Sequence, residues 1–291
     1  MKSDTVKGLR AAYIDLVIDV LLFSFWDEAP RRIAETGLFP PKHLRRSRKI
    51  RQMTRNVLLR LLDLCASPLG ASLHWKSGQS GKLIAEGKVW PSQAHSMIGK
   101  PRMENLRDAV RTVIEDDIKG DLIETGVWRG GSCILMRAML EAYGDHKRIV
   151  HVADSFDGLP PPDIARYPAD EGDTLHQHRE LAISQQQVED GFRRFGLLDD
   201  QVRFVKGFFE HTLHKLEADR FALIRLDGDM YGSTMQALEA LYPKLSPGGF
   251  CIIDDFALPA CKAAVDDYRL AHGIGEEIIR IDWTGAYWRK R

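Results

Sequence analysis

The chain predicts an α/β fold: a mainly parallel seven-stranded sheet with an antiparallel C-terminal edge, preceded by a helical N-terminal extension. Three observations carry this reading. From about residue 118 onward, short apolar runs alternate with helical ones, the pattern of successive crossover units. The last two runs, 277–282 and 286–289, are separated only by Trp283, Thr284 and Gly285, which suits a hairpin and therefore an antiparallel edge. The first 117 residues differ, with helical patterns broken by Pro30, Pro40, Pro41, Pro68 and a Gly/Ser-rich stretch over 76–82.

Strand 121–127 opens the alternation. Helix 132–143 follows, with Ile134, Leu135, Ala138 and Met139 spaced for one face. Strand 148–156, helix 185–195 and strand 202–208 come next, then strand 221–227, helix 234–245, strand 250–254 and helix 259–271, which leads into the closing hairpin. The apolar stretch 16–26 contains Asp19 and is well short of the roughly 20 residues that cross a bilayer, so it reads as an amphipathic or buried helix. It also lacks the flanks of a signal peptide.

Composition bounds the function classes. Of 291 residues, 44% are hydrophobic and 28% charged, as in an ordered globular protein, and 41 Lys+Arg balance 41 Asp+Glu, so no global field favours a polyanion. The balance conceals an asymmetry. Residues 31–60 hold ten basic residues against one acidic residue, Glu35, so the remainder of the chain is correspondingly acidic. A solvated helix face and a surface for an anionic substrate, lipid headgroups or a partner are both compatible with that run. Cys65, Cys133, Cys251 and Cys261 form neither a CxxC pair nor a zinc-finger spacing, which favours reduced thiols and a cytoplasmic setting.

The segment Glu124-Thr-Gly-Val-Trp-Arg-Gly-Gly-Ser132 follows the first strand and opens a helix. Its glycines allow a tight turn and close approach to amides at a helix N-terminus. It is not GxGxxG, and Glu124 disfavours a pyrophosphate. A sulfonium cofactor with a cationic α-amino group suits it better; loop geometry without a ligand is the alternative. The second strand ends at Asp154, about 28 residues after Gly126, where a Rossmann-like fold binds the ribose hydroxyls of an adenosine cofactor; a turn cap is the alternative there.

The sharpest cluster is acidic. The fourth strand runs into Asp227-Gly228-Asp229 and the fifth into Asp254-Asp255, and in a parallel sheet both ends open onto one crevice. Four carboxylates there repel one another unless a cation or proton intervenes, and an all-oxygen set suits magnesium, manganese or calcium. Asp254 and Asp255 point oppositely unless the strand has ended before them, which leaves open that one of the pair is structural. His176 and His178 lie in the long connection 157–184, which has the length of a lid; solvent exposure is the preferred reading for both. No nucleophile elbow, P-loop or RNA-binding platform is present, so no nucleic-acid partner is expected.

Together ETGVWRGG, VADSFDGLPPPD, FGLLDDQVRFVKGFFEHTL, LDGDMYGSTMQALEALYPKLSPGGFCIIDDF, PACKAAVDDYR and GAYWRKR, with AHSMIG at 94–99 and RMENL at 102–106, resemble the macrocin O-methyltransferase family over about 86–291, with a weaker echo at 13–28. The resemblance implies a class I, Rossmann-like, S-adenosylmethionine- and Mg2+-dependent enzyme that methylates sugar hydroxyls of macrolides and related natural products. It implies Asp227, Asp254 and Asp255 as metal ligands and Asp229 as general base. Glu124, Thr125, Gly126, Val127, Arg129, Gly130, Asp154 and Ser155 fall in its cofactor loop and ribose positions, and Ser96, Met97 and Ile98 where the N-terminal part touches the cofactor. The stretch 30–87 is longer and more basic than such enzymes lead one to expect, which divides the chain into an extension, 1–117, and a methyltransferase domain, 118–291. The acceptor is expected to be a hydroxylated or glycosylated small molecule, and the protein a homo-oligomer. A dinucleotide-dependent oxidoreductase and a non-catalytic scaffold are the alternative classes.

Overall fold

The computed structural model describes residues 2–25 and 81–291 except 90 and 92, and between them 31–32, 54, 57–59, 61–62, 64–65, 68 and 74–75. Most of the basic run 31–60, and with it the expectation of an anion-facing surface there, lies outside the described residues.

The strands are β1 (Asp121–Thr125), β2 (Val150–Asp154), β3 (Val202–Lys206), β4 (Phe221–Leu226), β5 (Leu245–Ile253), β6 (Ile279–Arg280) and β7 (Ala286–Arg289), in the spatial order β3-β2-β1-β4-β5-β7-β6. The first five run parallel, and β7 pairs antiparallel with both β5 and β6. A separate two-residue antiparallel pair joins Arg31–Arg32 to His74–Trp75. The helices are α1 (Lys2–Leu21), α2 (Gly81–Ala85), α3 (Gly99–Glu115), α4 (Gly131–Tyr143), α5 (Gln185–Arg194), α6 (Phe209–Thr212), α7 (Tyr231–Leu241) and α8 (Pro259–Ala271).

Helices cover both faces of the sheet, which is why β1, β2 and β4 are buried almost throughout and show no alternation of buried and exposed positions. On one face Ile14, Ile18 and Leu21 of α1 share a core with Met103, Leu106 and Val110 of α3, Ile134 and Leu135 of α4, and Val188 and Phe192 of α5. On the other, Leu238 and Leu241 of α7 pack with Val265 and Tyr268 of α8 around Trp288. Each such fully buried side chain contributes roughly 1.5–3 kcal/mol. The start of α5 is written in sequence as Ser184-Gln-Gln-Gln187: Ser184 Oγ accepts the Gln187 N–H, and Gln187 Oε1 accepts the Ser184 N–H.

α8 and β7 keep their expected bounds and most other elements shift by one or two residues at an end; three differences stand out. α7 begins at Tyr231, three residues early, and ends at Leu241, with Tyr242–Lys244 forming a 3-10 turn because Pro243 has no N–H to continue the helix. β5 begins at Leu245, opposite Phe221, and the register shifts around the Pro247-Gly248-Gly249 stretch before Phe250 pairs with Leu223. β6 is only two residues long. Among the described residues no helix is long and apolar enough to cross a membrane.

The strand order reverses between β1 and β4, since β1 is followed outward by β2 and β4 by β5 on the opposite side. Ligands of open α/β sheets bind outside the strand C-termini at such a reversal. Backbone bonds draw those ends together: the Asp227 N–H donates to Thr125 O at 2.9 Å, and the Asp254 N–H to Leu226 O at 2.9 Å.

Candidate active site

A cleft of about 320 Å3 opens at this reversal, within the range of small-molecule sites. His95, Ser96, Met97, Ile98, Glu124, Gly126, Val127, Asp154 and Ser155 line one part of it; Asp227, Asp229, Asp254 and Asp255 line another. The structure thus brings most of the sequence candidates to one cavity. Thr125, Arg129 and Gly130 are not among the lining residues. Thr125 is buried in β1, Gly130 lies against Val188, and Arg129 donates to Ala94 O at 2.9 Å and Pro91 O at 3.3 Å, so its guanidinium fastens the segment leading to α3. His176 and His178 also lie outside the lining set. His178 is exposed and His176 half-buried.

Gly126 fits where no other residue does. Its φ is 79°, and a Cβ there would sit 1.8 Å from Asp227 O, so the loop after β1 passes against the backbone after β4. Asp154 organises the same loop: Oδ2 accepts the Val127 N–H at 2.7 Å and Oδ1 the Phe156 N–H at 2.8 Å. Burial raises its pKa, and the amides of Phe156, Val127 and Trp128 counter only part of that rise.

Asp227, Asp254 and Asp255 each offer an oxygen, and the three lie within 4.8 Å of one another. β5 ends at Ile253, so strand alternation no longer separates Asp254 from Asp255. Asp229, with φ of 55°, donates its N–H to Asp255 Oδ2 at 3.3 Å, a backbone setting rare outside glycine. Burial, then repulsion from neighbouring carboxylates, holds three of these groups above the ordinary carboxylate range: Asp227 to about 6, Asp229 to about 8, and Asp255 well above its usual value.

Two arginines complete the cluster, and the sequence analysis passed over both. Arg225, 1% exposed, pairs with Glu124, Asp227 and Asp254. Burial works against its charge, but Asp254, Glu124 and Asp227 outweigh this and raise its pKa. Arg102 of α3 pairs with the other Asp254 oxygen, and its Nε donates to Asp282 Oδ2 at 3.0 Å. Glu124 also accepts from Cys133 Sγ at 2.9 Å, and burial, partly offset by Arg225, raises its pKa to about 7. The signal for Arg225 was its place inside the apolar strand Phe221–Leu226: a charge there has to be paired.

The connection 155–184 walls the cleft through Gly158 to Asp163, Tyr167, Asp170, Leu175 and Leu181. Asp170, 3% exposed, accepts the Tyr231 N–H at 2.6 Å and the Gly232 N–H at 2.9 Å. Nothing local in the sequence announced this contact.

The macrocin O-methyltransferase family model matches residues 10–290, which takes in both the motifs over 86–291 and the weaker echo at 13–28. The chain is 54% identical over 204 residues to the 8-demethyl-8-(2,3-dimethoxy-alpha-L-rhamnosyl)-tetracenomycin-C 4'-O-methyltransferase of Streptomyces olivaceus, covering 70% of this chain and 78% of that one. It is 49% identical over 207 residues to the mycinamicin III 3''-O-methyltransferase of Micromonospora griseorubida, covering 70% and 82%. The solved structure of the O-methyltransferase NovP matches with a TM-score of 0.78 at 38% identity, covering 97% of this chain and 99% of that one. The chain belongs to the macrocin O-methyltransferase family and is an S-adenosylmethionine-dependent O-methyltransferase, not a dinucleotide-dependent oxidoreductase.

Proposed function

We propose that the chain methylates a hydroxyl of a sugar, or of another vicinal diol, on a natural product, with a divalent cation held by Asp227, Asp254 and Asp255. The observation that carries this is the convergence of those three carboxylates beside Asp229 in the cavity that the donor loop also lines. The relatives support the acceptor class, since one is named for a rhamnosylated tetracenomycin and the other for mycinamicin III.

The residues fit a hard cation. The three carboxylates are crowded together, burial and mutual repulsion raise the pKa of Asp227 and Asp255, and a cation relieves that repulsion. Asp254 accepts one arginine on each oxygen, and each oxygen retains a second lone pair. When bound, S-adenosylmethionine supplies the methyl group and the cation supplies Lewis-acid polarisation of the accepting hydroxyl. Asp229 takes the hydroxyl proton on its carboxylate, a contribution of roughly 10²- to 10⁴-fold. Its raised pKa makes its ionised form a stronger base than an ordinary carboxylate. Glu124, oriented by Arg225 and Cys133, would hold the donor's α-amino group, and Asp154 would hold its ribose hydroxyls. The 155–184 connection excludes water.

Residues 1–117 serve as a cover contributing to acceptor choice, and Gly87 to Val89 and His95 to Ile98 among the lining residues support that role. The four free cysteines agree with a cytoplasmic setting, and we place the enzyme there as a homo-oligomer.

The test is methyl transfer from S-adenosylmethionine to a rhamnosylated polyketide, with Mg2+ or with EDTA. Product with Mg2+ and none with EDTA is expected; equal turnover in EDTA overturns the metal role.

A further inference from the structure

The connection between β2 and α5 has no helix longer than a 3-10 turn (Pro168–Asp170, Leu175–Gln177, Arg179–Leu181), yet it lies across the cleft. It is fastened on two sides. On the donor side, Trp128 Nε1 donates to Glu180 O at 2.9 Å, from a loop residue whose φ is 47°. On the acidic side, Asp170 accepts the first two N–H groups of α7, whose N-cap residue Met230 supplies no side-chain cap. A carboxylate at a helix N-terminus is favoured by both hydrogen bonding and the helix dipole. Tyr167 completes this contact by seating its ring on Gly232, where a Cβ would come within 2.6 Å of Cδ2.

The position of this contact in the chain matters. Tyr231 and Gly232 directly follow Asp229 and Met230. Asp229 is itself held in a strained backbone conformation, with its N–H on Asp255. We propose that Asp170 is a positioning residue of the methyl-transfer reaction: it clamps the 155–184 connection to the first turn of α7, and so sets the acceptor wall and the Asp229 backbone together. Trp128 is the second fastening, and it governs release of the donor product. This rests on the reading of Asp229 as the proton acceptor; the exchange and affinity readouts below do not depend on that reading.

The experiment compares full-length wild type with Asp170→Ala, Asp170→Asn and Trp128→Phe. Hydrogen exchange is followed peptide by peptide, S-adenosylhomocysteine affinity and dissociation by calorimetry and stopped flow, and kcat and KM with the rhamnosylated acceptor. For Asp170→Ala, exchange at 155–184 and 229–234 is expected to accelerate about tenfold while peptides of β1 and β4 hold their protection. Its kcat is expected to fall about 10- to 100-fold with S-adenosylhomocysteine affinity nearly unchanged. Asp170→Asn keeps one acceptor oxygen and is expected to fall between the two. Trp128→Phe, which lacks the indole N–H, is expected to speed dissociation of S-adenosylhomocysteine and to accelerate exchange at 175–184 more than at 229–234; unchanged dissociation and exchange overturn the second fastening. Uniform acceleration of exchange across the sheet, or wild-type kcat per folded molecule in Asp170→Ala, overturns the proposal. If all variants and wild type lack transfer, the functional reading fails, while localised exchange still reports the clamp.

Discussion

Arg225 Nη1 donates to Asp227 Oδ2 at 3.0 Å while the same guanidinium pairs with Glu124 and Asp254, so one buried cation is shared by the donor loop and the acidic cluster. Removing one partner of a buried ionic network costs roughly 3–5 kcal/mol, because the remaining charges stay desolvated. Arg225→Met is therefore expected to lower stability by an amount in that range in chemical denaturation. Arg225→Lys recovers only part of it, since a single ammonium cannot serve three carboxylates in the geometry of a planar fork. Wild-type stability in Arg225→Met contradicts this.

Gly126 sets the distance between the ends of β1 and β4. A methyl group there meets Asp227 O at 1.8 Å in a left-handed backbone region, and the backbone strain alone costs about 1–3 kcal/mol. Gly126→Ala is expected to weaken S-adenosylhomocysteine binding by tenfold or more in calorimetry.

Without an ion, burial and neighbouring carboxylates hold Asp227 at about 6 and Asp229 at about 8, against 3.8 for an unperturbed Asp. Between 3.8 and about 8 these two groups keep protons in the native state that they have lost in the unfolded chain, so their contribution to ion-free stability is greatest at the acid end and declines as pH rises through that window. A cation has to displace those protons and binds more tightly as they leave. The Mg2+-induced rise in Tm is therefore expected to be larger at about pH 8 than at about pH 6. Scanning fluorimetry showing the reverse order contradicts the electrostatic account of the cluster.

The strand and helix alternation, the antiparallel edge and the gathering of Asp227, Asp229, Asp254 and Asp255 were legible in the sequence because each depends on local pattern plus one topological rule. The uncertainty over Asp254 and Asp255 turned on where β5 stops, a boundary that periodicity locates poorly, and it stops at Ile253. The partners of Asp170 and most of those of Arg225 were not legible. Asp227 is two residues from Arg225, but Glu124 is 101 residues from Arg225 and Tyr231 is 61 from Asp170, and no local spacing encodes those longer contacts. The guanidinium of Arg129, in the loop after β1, turns to the carbonyls of Pro91 and Ala94, 38 and 35 residues away, contacts that local spacing does not encode either.

The central claim is that Asp227, Asp254 and Asp255 hold one divalent cation in the cavity that binds the methyl donor. Crystals grown with S-adenosylhomocysteine and Mn2+, measured at the manganese edge, test it most directly. A single anomalous peak is expected within coordination distance of all three carboxylates, absent in Asp227→Asn. Donor product bound with no peak at the cluster would contradict it.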